Sequence, residues 1–110
     1  MLILMLAAVM TGPPDYAEPA GQGIERCATW SANRANAGVA RKLDTEWLFG
    51  FLSGANYALA KDDEHKLLWP SDDGRDYVAF VDSYCRRHPT DQLQLGAAAL
   101  AKKLKRDGGL

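Results

Sequence analysis

One eleven-residue stretch, Trp47-Leu48-Phe49-Gly50-Phe51-Leu52-Ser53-Gly54-Ala55-Asn56-Tyr57, restricts the folds open to this chain more than any other. Leu48, Phe51, Leu52, Ala55 and Leu59 recur at i, i+3, i+4, i+7 and i+11, which is the spacing of one helical face. Trp47 and Phe49 extend the apolar surface to the flanks, and only Ser53 and Asn56 interrupt it. A helix of this composition predicts a central element enclosed by its neighbours. Gly50 and Gly54 each cost about 1 kcal/mol relative to alanine inside a helix, so their presence predicts a second backbone passing close on that side.

The length of 110 residues suits one domain, near the size at which a hydrophobic core benefits from a covalent staple. A net charge of −1 supplies no excess that would hold nucleic acid or an anionic membrane, so neither is the expected partner. The chain is rich in alanine and poor in β-branched residues, which favours helices over a sheet. The expected fold class is therefore all-α, a small packed helical domain.

Residues 1 to 10 form an unbroken apolar run, too short to span a bilayer and of the length of a secretory h-region. Residues 11 to 23, with Pro13, Pro14, Pro19, Gly12, Gly21 and Gly23, have linker composition. Residues 1–23 are accordingly read as signal peptide and linker, and 24–110 as the helical domain. In an exported chain two cysteines most simply form one bridge. Cys27 and Cys85 are 58 positions apart, and closing such a loop removes roughly 4 kcal/mol of unfolded-chain entropy in the loop model. A pair of buried free thiols is the rival reading.

A first helix is predicted over about residues 24–36, with Ile24, Cys27, Ala28, Ser31 and Ala35 inward, and Trp30 off that stripe at the core edge or partly exposed. The second begins at a cap on Asp44 or Thr45 and runs to about Ala60. Residues 61 to 73 form a connection dense in charges and turn residues, containing Trp69-Pro70. The third helix, about 74–88, places Tyr77, Val78, Val81, Tyr84, Cys85 and His88 on one stripe and is ended by Pro89. A fourth, capped by Thr90 or Asp91, turns Leu93, Ala97, Leu100 and Leu104 inward. Its basic end, Lys102 to Arg106, suits the negative pole of the helix, and Gly108-Gly109 closes it.

The blocks Cys27-Ala28-Thr29-Trp30, Gly50-Phe51-Leu52-Ser53-Gly54-Ala55-Asn56 and Asp82-Ser83-Tyr84-Cys85, followed by Pro89-Thr90-Asp91-Gln92-Leu93, resemble a family of small exported proteins of Gram-negative bacteria. The resemblance covers about residues 25–105. More distantly, the chain is similar to the Rap/Tai-type immunity proteins of type VI secretion and to the Hde-type periplasmic acid-stress chaperones. The resemblance implies an exported, small all-α domain of four to five helices with one disulfide, in which Cys27 is bridged to Cys85. The chain departs from the pattern at Phe80, where a tryptophan is expected, and in its Trp69-Pro70 loop.

For chemistry, the sequence offers little beyond binding. Asn56 and Asp82 are the polar residues expected to be partly buried, as a hydrogen-bonded structural pair that sets the register of the second and third helices. Asp62, Asp63, Glu64, His65, Asp72, Asp73 and Asp76 surround one connection, but their spacing does not match a calcium loop. No cofactor or metal is expected. Ser53 lacks the Gly-x-Ser-x-Gly elbow, and His65 and His88 have no acid or nucleophile at motif spacing. The expectation is a non-enzymatic periplasmic protein-binding module, with Trp69 and Trp30 as candidate partner-binding aromatics. Its sharpest form is an immunity protein against a type VI secreted toxin, with an acid-activated holdase for unfolded clients as the alternative. A homodimer is a further form open to such a domain, and stable membrane insertion is not expected once the leader is removed.

Overall fold

The structure is a computed structural model of the chain and describes residues 21–59 and 74–107. It is all-α. A 3-10 turn, Gly21–Ile24, precedes α1 (Cys27–Arg34), α2 (Val39–Leu59), α3 (Arg75–Arg87) and α4 (Leu93–Asp107). α1 packs on α2, α3 and α4, α3 packs on α4, and the 3-10 turn lies against α2 and α4. The connection at 61–73 with Trp69 and its acidic residues, the side chain of Leu59, the leader with the linker to residue 20, and Gly108-Gly109 lie outside the described residues.

The core is built from Trp30 of α1, Leu48 and Leu52 of α2, Val81 of α3, and Leu93, Ala97, Leu100 and Ala101 of α4. Cys27 and Cys85 sit inside it as a disulfide that joins α1 to α3, with Cα atoms 4.7 Å apart. Gly96 lies beside this core because the Tyr84 ring passes over it: a β-carbon there would stand 2.9 Å from Tyr84 Cδ1.

The N-termini of α1 and α4 have no need of side-chain caps, because their backbones serve each other. The amides of Cys27 and Ala28 donate to the carbonyls of Asp91 and Pro89 at 2.7 and 3.0 Å, and the amide of Leu93 donates to the carbonyl of Glu25 at 2.8 Å. These bonds flank a single β-bridge between Arg26 and Gln92. Orphan donors of two helix starts are thereby satisfied without water. The Arg26 side chain adds a bond from Nη1 to the Thr90 carbonyl at 2.6 Å. Asp91, expected as a cap, instead accepts from the Tyr84 hydroxyl at 2.6 Å.

Several expectations are corrected. α2 starts at Val39, upstream of Asp44 and Thr45, because Ala40, Arg41, Lys42 and Leu43 are good helix formers that carry the helix back to the Gly38 carbonyl, which accepts from the Lys42 amide. Thr45 bonds back to the Arg41 and Lys42 carbonyls, as a hydroxyl does inside a helix. α2 is not enclosed on every side: Leu48 and Leu52 are buried, whereas Gly50, Ser53, Gly54 and Tyr57 are exposed. Among the described residues nothing lies within 4 Å of a β-carbon built on Gly50 or Gly54, so no neighbouring backbone explains them. Residues 21–23, assigned to the linker, form the 3-10 turn, where Gly23 lies so close under the Trp47 indole that a β-carbon would overlap it. Trp30 is fully buried, and His88 is exposed.

Candidate functional site

α1 meets α3 at the Asp82 carboxylate of α3. Trp30 Nε1 of α1 donates to Asp82 Oδ1 at 2.8 Å, and Arg34 Nε, one turn further along α1, donates to the same oxygen at 3.0 Å. The Arg34 guanidinium carbon lies 5.9 Å from the centroid of the Trp30 ring, within reach of a cation–π attraction. Arg34 is thus held from two sides. Between these residues and α2 opens a cleft of about 390 Å³, lined by Arg34, Arg41, Thr45, Phe49, Arg75, Val78, Ala79 and Asp82. Arg41, Thr45 and Phe49 recur every four residues along one flank of α2 and form its wall. Three guanidiniums there meet one carboxylate.

A second polar cluster lies near the start of the domain. Asp44 is 1% exposed and accepts from Asn33 Nδ2 of α1 at 2.9 Å. Its Oδ1 and Glu25 Oε1 are buried without a donor while both acids are ionised. A proton retained by Glu25 turns that acceptor pair into a donor and an acceptor. Burial, the hydrogen bond to Asp44 and the Asp44 charge, in that order, raise the Glu25 pKa from its ordinary 4.5 to about 8.

A third feature is the outward face of α2. Val39, Leu43, Glu46, Gly50, Ser53 and Tyr57 follow alternating steps of four and three residues and are all exposed. Val39 is 75% exposed and Tyr57 89%, which leaves large apolar side chains at both ends of a small-residue centre.

The expected site residues are distributed differently from the expectation. Cys27 and Cys85 meet as the disulfide. Asp82 is half-buried and bonded, as expected, and its hydrogen-bond mates are Trp30 and Arg34. Trp30 is no partner-binding surface, since it is 0% exposed and its indole is committed to Asp82. Trp69 lies outside the described residues. Arg34, Arg41 and Glu25 were not singled out by the sequence, and Asp44 was read only as a helix cap. The available signal was Cys27: a residue three positions after a buried cysteine, Trp30, and one seven after it, Arg34, share its helical face.

Among the described residues no group of His, Cys, Asp and Glu side chains has metal-binding geometry, and no helix is long and apolar enough to cross a membrane. Comparison of the chain with protein-family models, curated proteins and solved structures finds no match.

Proposed function

We propose that the chain is a non-enzymatic protein-binding module of the periplasm, in its sharpest form an immunity protein that holds a type VI secreted toxin. The exposed face of α2 carries this reading. Val39, Leu43 and Tyr57 expose large apolar surface, while Gly50, Ser53 and Gly54 let a partner helix approach the α2 backbone closely. The occupant is a helix of the toxin. The disulfide supports the compartment, since such bonds persist in oxidising surroundings.

The test is co-purification with secreted toxins, coupled to growth protection on toxin expression. A nanomolar complex that Leu43→Glu and Tyr57→Ala abolish, with the helical content of both variants unchanged, supports the proposal. No complex and no protection count against it. An acid-opened holdase is the weaker reading, because Glu25, with its pKa raised to about 8, already carries its proton at neutral pH and supplies no charge for acid to remove.

A further inference from the structure

We propose that the cleft between α1, α2 and α3 is an anion site that takes a carboxylate carried on an apolar or aromatic body, gripped by Arg34 and Arg41. The inference is separate from the partner face of α2 and stands or falls without it.

Two guanidiniums of different character supply the grip. Arg34 has little freedom left, with its Nε bonded to Asp82 at 3.0 Å and its plane near the Trp30 ring. Among the described residues its Nη groups have no hydrogen-bond acceptor. A donor fork already fixed by its own fold loses little entropy when an oxyanion docks. Arg41 is half-buried, and its side chain makes no ion pair or hydrogen bond among the described residues. A guanidinium in the cleft wall with no counter-ion among the described residues gains a charge-assisted pair when an anionic ligand docks.

The rest of the lining selects the ligand class. Phe49, Val78 and Ala79 provide an apolar floor beside the charges. A volume of about 390 Å³ accommodates a body of side-chain size, at the small end of ligand sites. Guanidinium forks match carboxylate and phosphate oxygens alike. Of the two positive charges of Arg34 and Arg41, Asp82 offsets one and the negative pole at the end of α1 part of the other, so a single negative charge suits the grip better than two. Arg75, which has an interaction of its own, borders the same cleft.

The probes are an acetylated, amidated dipeptide of phenylalanine and glutamate, its glutamine counterpart, and inorganic phosphate, each titrated into the full, oxidised chain. The readout is the NMR shift of the Arg34 and Arg41 Nε–H groups and the Thr45, Phe49 and Val78 amides. The glutamate dipeptide should give saturable shifts, with affinity about tenfold weaker for the glutamine form and for Arg41→Met, as expected when a charge-assisted pair is lost. Arg41→Lys, which keeps charge and helix propensity but loses the fork, should also weaken binding and serves if the methionine variant does not fold. Equal affinity for the two dipeptides, or unchanged affinity in the Arg41 variants, would overturn the site. Tighter binding of phosphate than of the glutamate dipeptide would overturn the carboxylate assignment.

Discussion

Asp82 satisfies an indole and a guanidinium with one oxygen, and both partners belong to a helix 48 or more positions earlier in the chain. Removing it strands a buried Trp30 N–H, so Asp82→Ala should lower stability by about 1–3 kcal/mol. Asp82→Asn keeps an acceptor for Trp30 and loses the charge of an ion pair whose side chains are 24% and 25% exposed, so its cost should be smaller than that of the alanine variant. Urea midpoints of the two variants separate the contributions. Sequence reading recognised that Asp82 needed a mate but gave it Asn56, because periodicity ranks residues along one helix and contains no information about which distant side chain crosses to it. Glu25 sets a second test. Its folded pKa is raised, so the stability it contributes is complete below pH 4.5 and is lost as pH rises through about 8. Chemical denaturation across that window should show stability falling with pH, and Glu25→Gln should flatten the slope. A slope unchanged in the glutamine variant would remove the Glu25–Asp44 proton from the explanation.

At the scale of the element, α2 shows how an apolar stretch can mislead. The leucines at 48 and 52 do point into the core, and they were legible from their spacing alone. Phe49 and Tyr57 belong to other sides of the same helix, one lining the cleft and the other standing in solvent. Counting aromatic residues around the helix therefore exaggerated its enclosure. The glycines were misread for a related reason: a penalty at Gly50 and Gly54 identifies a helix that tolerates small residues but not the object that needs them there. With no described residue near either β-carbon position, Gly50→Ala and Gly54→Ala should each stabilise the free domain by about 0.5–1 kcal/mol. Their combination should raise Tm by several degrees, roughly 4–8 °C per kcal/mol for a domain of this size, as calorimetry can measure. If the face holds a toxin helix, the same pair should weaken that complex while it strengthens the fold.

For the whole molecule, the disulfide joins α1 and α3 across the centre of the core, with both cysteines fully buried. Reduction, or Cys27→Ser with Cys85→Ser, should cost about 2–5 kcal/mol, a large share of what a small domain possesses. Thermal melts with and without reductant measure this loss, and a difference within error would show that packing alone suffices. The helix count, the pairing of the two cysteines and the inward face of α4 could be read from the sequence, since each depends on local pattern or on there being only two thiols. The cleft could not, because Arg34, Arg41 and Asp82 are brought together by packing of three helices rather than by spacing along one.

The reciprocal bonding of residues 25–28 with 89–93 also bears on the order in which the protein can be made. The first amides of α1 find their acceptors only after Pro89 and Asp91 have left the ribosome, whereas the Glu25 carbonyl that accepts from the first amide of α4 is made well before it. An incomplete chain therefore lacks the closure that completes both helix starts. The lock that closes the start of the first helix is thus supplied by the segment leading into the last one, and it can form only late in synthesis.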